Sequence, residues 1–136
     1  MKKIRHFLNL DELSQDDIYS IVSDSHKLKK NYGELELKKK KILAMIFEKP
    51  STRTRVSFEV GMKKINGEVV ILDQNDTQLA RGESLNDTIK VLSRYVDIIM
   101  YRGSDEKKLY EISKSSDVPI INGLTNQSHP CQIIAD

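Results

Sequence analysis

Ile42-Leu43-Ala44-Met45-Ile46-Phe47, followed at once by Glu48-Lys49-Pro50-Ser51-Thr52-Arg53-Thr54-Arg55, decides how this chain folds. The apolar run is too short for a globular helix and too uniformly apolar for a strand with one wet face, so it reads as a buried parallel strand. The polar stretch then opens a helix, with Ser51 or Thr52 available as a cap. Val56, Phe58, Val60 and Met62 alternate, but Phe58, Met62 and Ile65 also fit helical spacing up to Gly67. A helix beginning here leaves backbone N–H groups unpaired where its dipole places partial positive charge. Hydroxyls and guanidinium groups at such a point form a cradle for a phosphate. No Gly-x-x-x-x-Gly-Lys pattern is present, so this is not a Walker loop.

The flanking sequence repeats the same alternation of elements. Ser14 can cap a helix with Asp17 three residues on, and Leu13 can staple to Ile18. Ile18, Ile21, Val22, Ser25 and Leu28 then mark one face until Asn31-Tyr32-Gly33. Glu68 to Leu72 reads as a second strand, and Asp73 to Glu83 as a loop long enough to have a role. Ser84 caps a helix carrying Leu85, Ile89, Leu92 and Val96. Asp97 to Tyr101 is a strand, Asp105 to Ser115 a helix, and Val118 to Asn122 a fourth strand. Pro119 suits an edge strand or a strand's first residue. The expected fold is therefore α/β: a three-layer domain with a central four-stranded, mostly parallel sheet flanked by helices.

Composition narrows the class. The 136 residues suffice for one domain, and 22 Lys and Arg against 20 Asp and Glu create no global field that demands a polyanion. The Lys38 to Lys41 run reads as a solvated approach to the first strand rather than a nucleic-acid patch. No apolar stretch approaches the roughly 18–20 residues needed to span a bilayer, and no signal-peptide core follows the basic N-terminus. The lone Cys131 has no internal disulfide partner. A cytoplasmic protein without membrane or nucleic-acid partners is expected.

Parallel sheets place ligand sites beyond the carboxyl ends of their strands. Ser51 to Arg55, the loop with Gln78 and Arg81, Arg102, and Asn122 to Gln132 all fall there. Each also has a plain explanation: a capped helix with Arg53 and Arg55 solvated or paired to Glu48 and Glu59, a solvated loop, a surface arginine at a turn. His129-Pro130-Cys131-Gln132 has the form of a helix start, with Ser128 as cap and Pro130 in the first turn. His129 and Gln132 can then face one ligand. Metal-ligand spacing is absent, and a Cys131–His129 nucleophile is disfavoured because the two project in different directions.

Phe47-Glu48-Lys49-Pro50-Ser51-Thr52-Arg53-Thr54-Arg55-Val56-Ser57-Phe58-Glu59 resembles the carbamoyl-phosphate signature of the aspartate and ornithine carbamoyltransferases. Gln78 to Ser84, Tyr101-Arg102, Val118 to Leu124 and His129-Pro130-Cys131-Gln132 resemble the family's later blocks in the same order. Cys131, where aspartate enzymes typically carry threonine, and the loop with Gln78 favour the ornithine branch over the aspartate branch.

The resemblance implies roles. Ser51, Thr52, Arg53 and Thr54 would hold the phosphate, and Arg102 would reach both phosphate and carbamoyl oxygen. His129 would donate to that oxygen and Gln132 would bind the carbamoyl amino group, with Pro130 and Cys131 part of the same binding motif. Arg55 would be an ion-pair partner. The loop carrying Gln78, with Arg81, would reach a neighbouring subunit's site in a homotrimer. The implied reaction is attack by the δ-amine of ornithine on the carbamoyl carbon, giving citrulline and phosphate without metal, cofactor or covalent enzyme intermediate. Residues 1–136 would form the carbamoyl-phosphate-binding domain, and the motifs of the amino-acid-binding second domain are not present in the sequence. The chain is accordingly expected to bind carbamoyl phosphate weakly and to turn over no ornithine. Two alternatives remain: the corresponding domain of an aspartate enzyme, and a non-catalytic phosphate-binding or assembly module.

Overall fold

The computed structural model describes residues 3–31, 37–73 and 84–136. After a short 3-10 turn at Leu10–Glu12, the elements run α1 (Gln15–Lys30), β1 (Ile42–Phe47), α2 (Thr52–Lys64), β2 (Glu68–Asp73), α3 (Leu85–Leu92), β3 (Ile98–Arg102), α4 (Glu106–Ser115), β4 (Ile120–Leu124) and α5 (Pro130–Ala135). The strands form one sheet in the order β2-β1-β3-β4, and every pairing among them is parallel. The expected three-layer α/β architecture is what the chain adopts.

Alternation along the central strands separates two cores. Ala44, Ile46, Ile99, Tyr101 and Ile120 point to one face, where they meet Ile89 and Val96 from the α3 region and Leu109 and Ile112 of α4. Leu43, Met45, Phe47 and Met100 point to the other, covered by Phe58 and Met62 of α2. Helical spacing therefore governs α2: Phe58 and Met62 pack inward, while Val56 and Val60 are exposed. All of β1 from Leu43 onward is buried, as its unbroken apolar run requires, whereas β2 at the sheet edge leaves Val70 exposed. Burying a Leu or Ile in such a core stabilises the fold by about 1.5–3 kcal/mol each.

The helix starts follow the sequence closely, with one exception. Ser14 and Asp17 form a reciprocal capping box, and Ser84 accepts from the Asp87 amide at 3.2 Å. Helix α5 departs from expectation: its N-cap is His129, which makes no side-chain cap bond, and Pro130 is its first residue. Ser128 does not cap it, because its hydroxyl is engaged by Asn122 and Glu106 instead. Strands β3 and β4 each run further than the sequence pattern indicates, to Arg102 and Leu124, and β4 begins after Pro119. The proline thus stands just before the strand at the sheet edge, where its carbonyl accepts from the Ile99 amide at 3.0 Å and its missing N–H costs no ladder bond. Beyond that edge the N-terminal segment adds a parallel bridge, Phe7 to Ile121.

Candidate functional site

The strand order places the carboxyl ends of β1 and β3 side by side. Phe47 is in register with Arg102, and the Glu48 amide donates to the Arg102 carbonyl at 2.9 Å. Ser51 then caps α2 in extended backbone conformation, its hydroxyl accepting from the Thr54 amide at 3.3 Å. The first-turn amides of Thr52 and Arg53 have no intrahelical acceptor, by the geometry of any helix start. The first turn of α2 carries no acidic residue, whereas α1, α3 and α4 each do. Its positive end is left for an external anion.

Arg102 reaches across to this turn. One guanidinium nitrogen, Nη1, donates to Ser51 Oγ at 2.7 Å and also to Thr54 Oγ1. Its aim depends on a β-bulge: Tyr101 pairs with Asn122 but Arg102 pairs with Leu124, so Gly123 is the extra residue. Bulges of this kind bend a strand and redirect the neighbouring side chain. Glycine suits the position, because a Cβ would stand 2.2 Å from Met100 Sδ and 3.2 Å from the Tyr101 carbonyl, so that any larger residue requires Met100 to shift.

Pro50, Ser51, Thr52, Arg53, Thr54, Arg102, Leu124, His129 and Gln132 line one cavity of about 470 Å³. Its polar character comes from hydroxyls, two guanidinium groups, an imidazole and a carboxamide. Arg102 Nε and His129 Nδ1 are buried without a hydrogen-bond partner among the described residues, and such atoms in a folded protein call for an explanation. Burial first, and the Arg102 cation second, hold the His129 imidazole below its ordinary pKa of 6.5, with Asp136 opposing. The ring is therefore neutral at pH 7. Such a site can bind a small dianion at one end and direct hydrogen-bond donors at an uncharged group beside it.

The sequence-derived residues divide as follows. Ser51, Thr52, Arg53, Thr54, Arg102, His129 and Gln132 come together in the cavity. Pro130 is buried as the first residue of α5, and Cys131 lines a separate groove with Val22, His26 and Lys29 of α1. Neither side chain lines the cavity. Burial raises the Cys131 thiol to about 11, and Sγ lies 3.6 Å from the Asn122 carbonyl. Gln78 and Arg81 lie outside the described residues. Arg55 is an ion-pair partner, but of Asp73 at 3.9 Å rather than of Glu48 or Glu59. Those carboxylates take Lys108 and Lys63. Pro50 and Leu124 also line the cavity, and Gly123 shapes it through the bulge, without a sequence pattern that assigns any of the three a role. The Asn122-Gly123 pair was the available signal for an irregular strand end. Among the described residues, no group of three or more His, Cys, Asp or Glu is placed to hold a metal.

Residues 5–136 match the family model described as aspartate/ornithine carbamoyltransferase, carbamoyl-P binding domain. An ornithine carbamoyltransferase of Rhizobium meliloti (strain 1021) is 49% identical over 136 residues, covering 97% of this chain and 45% of that protein. The crystal structure of the anabolic ornithine carbamoyltransferase from Campylobacter jejuni superposes with a TM-score of 0.90 at 41% identity, over 98% of this chain and 43% of the other. The catalytic subunit of M. jannaschii aspartate transcarbamoylase gives 0.86 at 38% identity, over 96% and 44%. The chain thus spans less than half the length of the relatives it matches.

Proposed function

We propose, from the premise that this chain belongs to the aspartate/ornithine carbamoyltransferase family and corresponds to its carbamoyl-P binding domain, that the cavity binds carbamoyl phosphate for transfer to ornithine. The observation that carries this reading is the meeting of Arg102 with Ser51 and Thr54 at the acid-free start of α2, with His129 and Gln132 lining the same cavity. Phosphate is held by the first-turn amides, the hydroxyls of Ser51, Thr52 and Thr54, and Arg53. Arg102 spans phosphate and carbamoyl oxygen, His129 donates to that oxygen, and Gln132 receives the amino group.

In the transfer, the lone pair of the neutral δ-amine forms a bond to the carbamoyl carbon. The carbon–oxygen bond to phosphate breaks, its electron pair leaves with the phosphate, and the departing phosphate takes up the proton that the amine loses. Negative charge grows on the carbamoyl oxygen in the tetrahedral transition state, where Arg102 and His129 stabilise it. A neutral imidazole suits a donor of this kind, because it adds no second cation beside Arg102. Removing one such donor from a working site lowers the rate on the order of a hundredfold. Reading the acceptor as ornithine rather than aspartate is supported by Cys131, where aspartate enzymes typically carry threonine, and by the 49% identity to an ornithine carbamoyltransferase. The acceptor is held by the part of the relatives this chain does not span, and a cytoplasmic homotrimer, with Gln78 serving a neighbouring site, completes the proposal.

Calorimetric titration of this chain with carbamoyl phosphate and with inorganic phosphate tests the reading. Both should bind, Arg53→Ala should weaken both by about tenfold, as loss of one charge-assisted contact does, and no citrulline should form when ornithine is added. Unchanged affinity in the variant would remove the phosphate cradle from Ser51 to Thr54, and citrulline formation would refute the requirement for a second domain.

A further inference from the structure

Asn122 occupies a position that the proposed chemistry does not use. It is fully buried in the middle of β4, and its side-chain amide is satisfied throughout. Oδ1 accepts from the Leu124 amide at 2.9 Å, and Nδ2 donates to the Leu8 carbonyl at 3.0 Å and to Ser128 Oγ at 2.9 Å. Ser128 Oγ in turn donates a hydrogen bond to Glu106 Oε1 at 2.7 Å, on the first turn of α4. The connection from β4 to α5 is closed on itself by Thr125, whose amide donates to the Ser128 carbonyl at 3.0 Å and whose Oγ1 accepts from the Ser128 amide at 3.1 Å. It is tied to the turn after β3 by the Asn126 amide, which donates to the Ser104 carbonyl at 3.0 Å.

His129 has no comparable support of its own. It caps α5 without a side-chain bond, and its Nδ1 has no partner among the described residues. The place of the imidazole is consequently set by the backbone around it: the Ile133 amide donates to the His129 carbonyl at 3.2 Å, Thr125 holds the Ser128 backbone, and the hydroxyl relay anchors the Ser128 side chain. We infer that Asn122, Ser128 and Glu106 form a positioning unit that fixes His129 relative to Arg102, and so sets how strongly the site prefers a carbamoyl-bearing phosphate to a bare one. The inference rests on the carbamoyl-phosphate reading of the cavity. Ser128 and Glu106 reach the carbonyl side through the loop at 125–128, whereas Ser51 to Thr54 stand between β1 and α2, to which neither side chain hydrogen-bonds among the described residues. Asn122, which also holds the Leu124 amide opposite Arg102, touches both sides and is left unaltered in the test. Loss of Ser128 or Glu106 therefore separates two affinities that a general loosening of the fold would lower together.

The test uses two hydrolytically stable probes, phosphonoacetamide, which keeps the amide, and methylphosphonate, which lacks it. Calorimetry on this chain should show phosphonoacetamide bound more tightly. Ser128→Ala and Glu106→Ala should erase most of that preference, about tenfold for one well-placed hydrogen bond, with methylphosphonate affinity changed by no more than about twofold. Glu106→Gln keeps an acceptor and should retain the preference. Ser128→Ala removes a single hydroxyl outside the core, so the test does not depend on a severely unfolded variant. A preference that survives in both alanine variants overturns this inference alone. Affinities for the two probes that fall in parallel with thermal stability also overturn it, leaving a structural role. Failure of the unaltered chain to bind either probe overturns the carbamoyl-phosphate reading and this inference with it.

Discussion

Arg102 Nη1 lies 2.7 Å from Ser51 Oγ, so the cation at the end of β3 is docked on the hydroxyl that caps the helix after β1. One oxygen thereby serves two donors, the Thr54 amide and the guanidinium. The cradle is assembled by contacts between strands and is held in shape independently of the ligand. Preorganisation of this kind lowers the ordering cost of binding.

Replacing Arg102 with Met should reduce phosphate affinity by at least about tenfold, the scale of a charge-assisted hydrogen bond worth about 1.5–3 kcal/mol. The same change removes a cation that holds the His129 imidazole below its ordinary pKa. The His129 ring resonance, followed by NMR across pH 4–9, should then titrate at higher pH than in the unaltered chain. Titration at an unchanged pH would show that the two groups do not act on each other.

His6 gives the fold a pH dependence far from the cavity. Its Nδ1 accepts from the Ile120 amide at 3.0 Å, which requires an unprotonated nitrogen, and burial lowers its pKa while Glu12 opposes. A histidine with a lowered folded pKa contributes stability that is fully present above the unfolded value near 6.5. That contribution is lost as pH falls from there through the lowered folded value. His129 carries the same sign. Urea midpoints should therefore decline between pH 7.5 and pH 5, and His6→Gln should flatten the decline. An equally steep decline in the variant would remove His6 from the explanation.

Gly123→Ala tests the bulge that aims Arg102. With Met100 Sδ only 2.2 Å from the added Cβ, overpacking of about 1–3 kcal/mol is expected. Phosphate affinity should fall as well, because the register that brings Arg102 opposite Leu124 depends on this residue. A normal urea midpoint with normal affinity would show that Met100 yields freely.

The features legible in the sequence are those decided locally. Ile42 to Phe47 announced a buried strand because every residue faces one core or the other, and Ser14, Ser51 and Ser84 announced helix starts because their partners lie three residues away. The site residues fell together because parallel topology sends each strand end to the same side of the sheet. What escaped was decided across the sheet. Ser128 has the composition of a cap, but its hydroxyl is taken by Asn122 and Glu106, six and 22 residues distant. Arg55 has Glu59 within helical reach and Glu48 near in sequence, yet both are claimed by lysines and its partner is Asp73 on β2. The need for glycine at 123 comes from a methionine on the adjacent strand, a contact no local pattern records.

The Phe7 bridge fixes an order of events during synthesis. The Phe7 amide donates to the Ile120 carbonyl and its carbonyl accepts from the Asn122 amide, both at 2.8 Å, while Leu8 is held by the Asn122 side chain. The segment at Phe7, made before β1, thus waits for β4 before its backbone is paired in this way. Closing so long a loop has an entropic cost that only these late contacts offset. The sheet edge at β4 is sealed by residues made more than a hundred positions earlier, so a nascent chain that stops short of β4 cannot pair Phe7 and Leu8 in this way, whatever helices it has already formed.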